Sequence, residues 1–381
     1  MKKIFLFLII MLCISVNVNA KELVPNAKSA ILIDPDSKKI LFEKNIYDEV
    51  SIASLTKMMG LTLIFEQIDS GKIKYTDKVI ASKNASAMGG SQIWLEEGEE
   101  LTVDELLKGI IMASANDGIV AMAEYIAGDE DTFVKMMNQK AKELKLIHTH
   151  FVNPTGLDEK GHYSSAYDLA IIASELMKHK DVFKYTTLYE DYLRKNTDNK
   201  FWLVNTNKLI KTYKGADGLK TGMTDDAGYC MAVTANRNGM RILAIVLGEK
   251  EGKVRNSETS ELLDYGFNNY EATTIKKKGE KVGEISLLKS NPDKIDIILD
   301  EDINVIKKKN ETNKEYISEV KLNNLMLPIK KGENIGELLI KDDNLIVKKI
   351  TLKSSMDMKK RSFIDLWGNI LKSMLTGDLI S

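Results

Sequence analysis

Cysteine is nearly absent from this 381-residue chain, which contains only Cys13 and Cys230. Cys13 falls in an N-terminal segment expected to be removed, so the mature chain keeps Cys230 alone and can form no internal disulfide. An excess of charge of one sign is lacking too: 54 basic residues against 55 acidic ones leave a formal net charge of -1. That balance offers no electrostatic case for nucleic acid as a partner. No transmembrane-length segment opens the chain, because the apolar run from Ile4 to Val16 is too short to span a bilayer comfortably. What remains is globular composition, 44% hydrophobic and 29% charged, in a chain long enough for two domains.

The run has a different reading. Lys2 and Lys3 precede it and Val18-Asn19-Ala20 closes it, the order of a secretory signal, and cleavage is expected after Ala20. Leu12 stands before Cys13 where lipoprotein processing wants a small residue. Cys230, in the apolar run Gly228–Val233, reads as a small buried hydrophobe.

Hydrophobic periodicity organises the rest. Ala30–Ile33, the turn Asp34-Pro35-Asp36-Ser37 and Lys39–Phe42 predict a hairpin. Helical spacing runs from Ser54 to Ile68, ending near Gly71. Thr102-Val103-Asp104-Glu105 is a capping box that should open a helix through Ile111, and a further helix is expected from Asp117 to Ile126. A strand near Leu219 and the run Met240–Leu247 read as buried partners, giving one sheet covered by helices. After Tyr270 lysines accumulate and short alternating segments appear, among them Lys294–Leu299 and Asn344–Val347, as in a small all-β domain. Within it Lys278–Ile285 resembles Lys331–Leu338, which suggests two equivalent hairpins. Finally Phe363, Leu366, Trp367, Ile370, Leu371, Met374 and Leu375 share one helical face behind Lys359, Lys360 and Arg361, the pattern of an amphipathic helix lying on a membrane surface.

Chemistry concentrates in three short motifs. In Ser54-Leu55-Thr56-Lys57 the lysine lies one helical turn from the serine, within reach of its hydroxyl proton. It can act as a base only when neutral, which requires burial or a second cation nearby. Ser-x-x-Lys also occurs at Ser286 and Ser318, in the β-rich region, so company must distinguish Ser54. Ser114-Ala115-Asn116 follows the capped helix at a helix junction, and Lys220-Thr221-Gly222 opens a strand. There Gly222 would let a ligand lie close, while Lys220 and Thr221 offer a cation and a hydroxyl.

Taken in this order, Ser-x-x-Lys, Ser-x-Asn and Lys-Thr-Gly resemble the penicillin-binding proteins and serine β-lactamases. The closer resemblance is to low-molecular-mass, serine-type D-alanyl-D-alanine carboxypeptidases. It extends to Met88-Gly89-Gly90-Ser91, Asn153-Pro154-Thr155-Gly156-Leu157, Asp217-Gly218-Leu219, Arg255 and Tyr265-Gly266-Phe267. The resemblance implies an α/β (α+β) transpeptidase-like domain followed by a small all-β domain and a terminal amphipathic helix. The expected division is a signal at 1–20, a catalytic domain at 21–270, a β-rich domain at 271–356 and an anchor at 357–381. It implies Ser54 as acyl-ester nucleophile, Lys57 as proton acceptor and Ser114 as proton relay. Asn116 would orient the substrate amide, Lys220 and Thr221 would hold its terminal carboxylate with the substrate lying close at Gly222, and the backbone N–H groups of Ser54 and Met223 would form the oxyanion hole. Expected partners are peptidoglycan stem peptides, β-lactams as covalent inhibitors and a membrane surface through the last helix; no cofactor, metal or nucleic acid is expected. Some relatives carry histidines at positions 155 and 223, where this chain has Thr155 and Met223.

Other readings fit less well. A class A β-lactamase would carry a Glu-x-x-Leu-Asn run, which Glu175–His179 does not complete. A zinc peptidase would need a ligand set that His148, His150, His162 and His179 do not supply at convincing spacing; as loop residues they read as solvated. A wall-binding protein without activity would have no need of both Ser54 and Lys57.

Overall fold

The computed structural model describes residues 22–361 except Asn313, together with Trp367. The expected signal segment with Cys13, and the expected anchor at 357–381 apart from residues 357–361 and Trp367, lie outside the described residues. Residues 357–361 are not helical as expected, since Lys359–Lys360 form a short strand paired with Ser290–Asn291 and Met358 bridges to Ile329.

Strands β1 (Ser29–Ile33) and β2 (Ile40–Lys44) form the expected hairpin. The Asp34 carboxylate closes its turn by accepting from the Asp36 amide (3.0 Å) and the Ser37 hydroxyl (2.7 Å). Strands β3 (Ala216–Thr224), β4 (Gly228–Arg237) and β5 (Met240–Glu249) complete an antiparallel sheet of order β2-β1-β5-β4-β3. This corrects one pairing expected from sequence. Leu219 on β3 faces Val233 on β4, and β5 lies between β4 and β1. Two buried apolar strands look alike in sequence, so periodicity does not say which of them is the neighbour.

Alternation along β1, β4 and β5 builds two cores, one on each face of the sheet. Ile31, Ile33, Ala232, Leu243 and Ile245 face the larger core. Ala30, Leu32, Val233, Ile242 and Ala244 face the smaller one. Helices α1 (Lys57–Asp69), α2 (Val103–Lys108), α3 (Asn116–Ala127), α4 (Glu130–Glu143) and α5 (Ala166–Leu176) supply side chains to the first. The helix α6 (Gly252–Asn269) covers the second with Leu262 and Leu263. Every residue of α1 from Lys57 to Phe65 is buried, so this helix runs through the middle of the core. Gly60 allows its close crossing with α3, since a Cβ there would lie 3.0 Å from Ile119. Cys230 is buried and free, and burial pushes its thiol up to about 11, as befits a packing residue.

The helix expected from Ser54 begins later. Ala53–Thr56 form a single 3-10 turn, and α1 starts at Lys57. The capping box at Thr102 is present in both directions. Its helix, expected through Ile111, opens at Gly109–Ala113 into a π-helical turn that ends on Ser114 in the left-handed region, φ +64°.

Helix α6 passes directly into β6 (Tyr270–Lys276), which pairs with β9 (Ile303–Lys308). Between them β7 (Lys281–Ser286) pairs with β8 (Lys294–Ile298). Strands β10 (Ile317–Leu322), β11 (Asn334–Asp342) and β12 (Leu345–Lys353) form a separate sheet. Ile285, Ile297, Ile303, Leu338 and Ile340 give this region its own core. The internal repeat recurs bond for bond at its turns. Gly279 donates to Leu299 O and Gly332 to Ser354 O, both at 2.8 Å. Lys278 N donates to Asp302 and Lys331 N to Asp357, again both at 2.8 Å. Beyond the turns the copies diverge, for β7 has one partner whereas β11 is the middle of three strands.

One buried carboxyl makes stability depend on pH. Glu249, at the end of β5, is fully buried, and neither of its oxygens has a donor among the described residues. Burial, and then the neighbouring Glu258, raise its pKa above the ordinary glutamate range, against a weaker pull from Lys44. An acid with a raised folded-state pKa contributes stability at low pH that is lost as pH rises through that value, at about 1.4 kcal/mol per pH unit per proton. The unfolding midpoint of the wild-type protein should therefore fall as pH rises from the ordinary glutamate value of 4.5 to about 8 and level off above it, and Glu249→Gln should flatten that decline in a thermal melt. An equally steep decline in the variant would assign the effect elsewhere.

Candidate active site

The 3-10 turn between β2 and α1 sets the first two groups. Ala53 adopts φ +48°, unusual for a residue with a Cβ, and the turn presents Ser54 while Leu55 and Thr56 point into the core. Lys57, completely buried at the start of α1, lies with its Nζ 3.0 Å from Ser54 Oγ. The same nitrogen is 2.6 Å from Asn116 Oδ1 and 2.6 Å from the Thr155 carbonyl oxygen.

The neighbours fix the direction of each group. Asn116 donates its Nδ2 to Gly89 O at 2.7 Å, which turns Oδ1 toward Lys57. Its backbone N–H is held by Ser91 O at 2.7 Å. Asp117, buried beside it, accepts from the amides of Ile93 and Leu95 and so anchors the irregular segment that follows Met88–Ser91. Thr155 sits in a loop organised by Asn153, whose Oδ1 accepts from Thr155 Oγ1 (2.9 Å) and from Gly156 N (2.8 Å). Gly156 has φ +79°, and any Cβ there would collide with the Ala53 carbonyl.

Strand β3 brings the third motif against the turn. A Cβ on Gly222 would lie 2.9 Å from Ser54 N and 3.0 Å from Ala53 Cβ, so only glycine allows this approach. Lys220 is almost fully buried and donates to Thr221 O at 2.8 Å. Thr221 Oγ1 donates to Thr206 Oγ1 at 2.8 Å. Met223, next along the strand, exposes 54% of its surface. Ser114 is buried where the π-helical turn meets α3, and its Oγ has no hydrogen-bond partner among the described residues.

Electrostatics follow from burial. Desolvation drives the Lys57 pKa well below 10.5; the charge of Lys220 pushes in the same direction, and Asp117 opposes both. Burial also lowers Lys220, to about 7, with a further push from the Arg255 guanidinium. A neutral lysine amine has two N–H groups and one lone pair. Asn116 Oδ1 and the Thr155 carbonyl can only accept, so they take the two N–H groups and leave the lone pair for the Ser54 hydroxyl. The arrangement can therefore remove a proton from Ser54 without any rearrangement.

The structure thus gathers Ser54, Lys57 and Asn116 by direct hydrogen bonds and packs Lys220, Thr221 and Gly222 against them. The competing Ser-x-x-Lys at Ser318 lies on β10, where residues three apart point to opposite faces. Sequence reading gave no role to the Thr155 carbonyl or to the Asn153 side chain, and took Arg255 only as a mark of resemblance. It misjudged His162. That ring is buried, with Nε2 2.7 Å from Thr56 Oγ1 and Nδ1 accepting from Val152 N at 3.1 Å. The other histidines are separate, with His148 on Glu49, His150 on Gly161 O and His179 on Asp69.

Comparisons with known proteins agree with this geometry. The family model described as D-alanyl-D-alanine carboxypeptidase matches residues 16–251, and that of the C-terminal domain of penicillin-binding protein 5 matches residues 270–360. The D-alanyl-D-alanine carboxypeptidase DacF of Bacillus subtilis is 48% identical over 344 residues, 90% of this chain and 88% of that one. Penicillin-binding protein 5 from Haemophilus influenzae superposes with a TM-score of 0.66 at 28% identity, covering 90% of this chain and all of that one. Ampicillin-bound penicillin-binding protein D2 from Listeria monocytogenes gives 0.57 at 31% identity, covering 64% of this chain and 98% of that one. With its motifs assembled around one serine and both of its regions matched, the chain belongs to the D-alanyl-D-alanine carboxypeptidase family of low-molecular-mass penicillin-binding proteins.

Proposed function

We propose that this protein removes the terminal D-alanine from peptidoglycan stem pentapeptides through an acyl-enzyme on Ser54, acting in cell-wall synthesis and remodelling. The observation that carries the reading is the buried Lys57 amine, held by two carbonyl oxygens with its remaining valence toward Ser54 Oγ. In acylation Lys57 takes the hydroxyl proton, Oγ bonds to the carbonyl carbon between the two D-alanines, and the C–N bond breaks. The proton passes through Ser114, whose hydroxyl has no partner among the described residues and suits a relay, to the departing amine. The backbone N–H groups of Ser54 and Met223 would hold the oxyanion, and Asn116 would orient the substrate amide. Lys220 and Thr221 would receive the terminal carboxylate, with Gly222 leaving room for the substrate. An anionic ligand there would favour the charged form of Lys220, whose pKa burial lowers to about 7. Water then gives a proton to Lys57 and bonds to the ester carbonyl carbon. The C–Oγ bond breaks and Lys57 returns the proton to Oγ, which frees the shortened stem peptide and restores Ser54. A β-lactam enters by the same acylation, its ring C–N bond breaking in place of the peptide bond.

The division into a signal at 1–20, a catalytic domain at 21–270, a β-rich domain at 271–356 and a terminal anchor at 357–381 is part of the same proposal. So is a place on the outer face of the cytoplasmic membrane, held by the last segment; no described helix is long and apolar enough to cross a membrane.

Two experiments test these assignments. A fluorescent penicillin should label the wild-type protein covalently and leave Ser54→Ala unlabelled, whereas labelling that persists in the variant would remove Ser54 from the role. Deleting residues 359–381 should release active enzyme from membranes into the soluble fraction. Undiminished sedimentation with membranes would show that this segment is not the sole anchor.

A further inference from the structure

We propose that His162 is a positioning residue for the nucleophile, acting through Thr56 on the carbonyl that precedes Ser54. This inference rests on the assignment of Ser54 above and concerns a residue outside its three motifs.

The contacts define a directed chain. Val152 N–H donates to His162 Nδ1, which therefore carries no proton. The ring hydrogen sits on Nε2 and points at Thr56 Oγ1, 2.7 Å away. Thr56 in turn donates to Ala53 O at 2.9 Å. All three residues are buried. Burial holds the ring neutral by lowering its pKa to about 4; His150 and Lys57 add to that shift, and Glu159 and Asp158 oppose it.

The carbonyl at the end of the chain belongs to the strained residue of the site. Ala53, at φ +48°, must be held where it is by its surroundings, and its carbonyl orientation sets the plane that carries Ser54 N. Gly156 packs against both this carbonyl and Thr56 Oγ1, without room for a Cβ. Gly156, Thr155 and His162 belong to one loop, and Thr155 O is an acceptor for Lys57. The chain His162–Thr56–Ala53 thus ties the segment holding Lys57 to the turn holding Ser54. Losing it should leave the substrate pocket intact and loosen the Ser54–Lys57 pair.

Stopped-flow acylation by a fluorescent penicillin separates the maximal acylation rate from the half-saturating concentration. Thr56→Val removes the relay hydroxyl at nearly constant volume. His162→Asn can keep an acceptor near Val152 N but has no donor that reaches Thr56, whereas His162→Gln places an N–H near the Nε2 position. Thr56→Val and His162→Asn should each lower the maximal rate by about tenfold or more, with half-saturation changed by less than about threefold. The double variant should be no slower than the worse single one, and His162→Gln should stay within about threefold of wild type. Wild-type rates in Thr56→Val and His162→Asn, losses that multiply, or equal loss in His162→Gln would each overturn the proposal. If His162→Asn does not fold, Thr56→Val decides alone. Labelling that survives Ser54→Ala would instead refute the underlying assignment, a result distinct from all of these.

Discussion

The site depends on a lysine whose charge the protein has made expensive. Lys57 is sealed into the core at the start of the central helix, and an isolated ammonium there would cost several kcal/mol in lost hydration. Among the described residues no carboxylate hydrogen-bonds to its Nζ. The groups within reach are two neutral carbonyl oxygens and the Ser54 hydroxyl, and a second buried lysine adds repulsion. These conditions favour the amine, and an amine is what Ser54 needs beside it.

Much of the surrounding architecture supplies those partners. Helix α3 delivers Asn116 and Asp117, and Gly89 and Ser91 fix the asparagine's orientation. Asn153 folds the loop that brings Thr155 O to the amine. Strand β3 slides past Ser54 on Gly222. Glycine recurs at the closest approaches because the backbone of one segment occupies the space where a Cβ of another would be. The acidic side chain at Asp117 opposes the lowering of Lys57 but is engaged by backbone amides rather than by the amine.

Features governed by neighbours in sequence were legible there. The hairpin at Asp34, the capping box at Thr102 and the capped end of α3 at Gly128 depend on residues within one turn of each other. The three motifs could be read because their residue types and order are specific in combination. What could not be read depends on distant partners. The order β5-β4-β3 is chosen among similar apolar strands by packing. The 3-10 turn before Lys57 reflects an Ala53 conformation held by Thr56 within the turn but also by Gly156, from a separate part of the chain. His162 carries no motif, and only its burial against Thr56, 106 positions away, separates it from a solvated loop histidine.

The chemistry at Ser54 turns on the protonation state of Lys57, which direct titration measures. Enzyme carrying isotopically labelled lysine, with the Lys57 side-chain resonance assigned by loss in Lys57→Arg, can be followed by NMR across the pH range. A neutral amine near physiological pH is expected in the free enzyme, with its titration well below 10.5. An ammonium that persists up to that ordinary lysine value would contradict it, and Ser54 would then need another base.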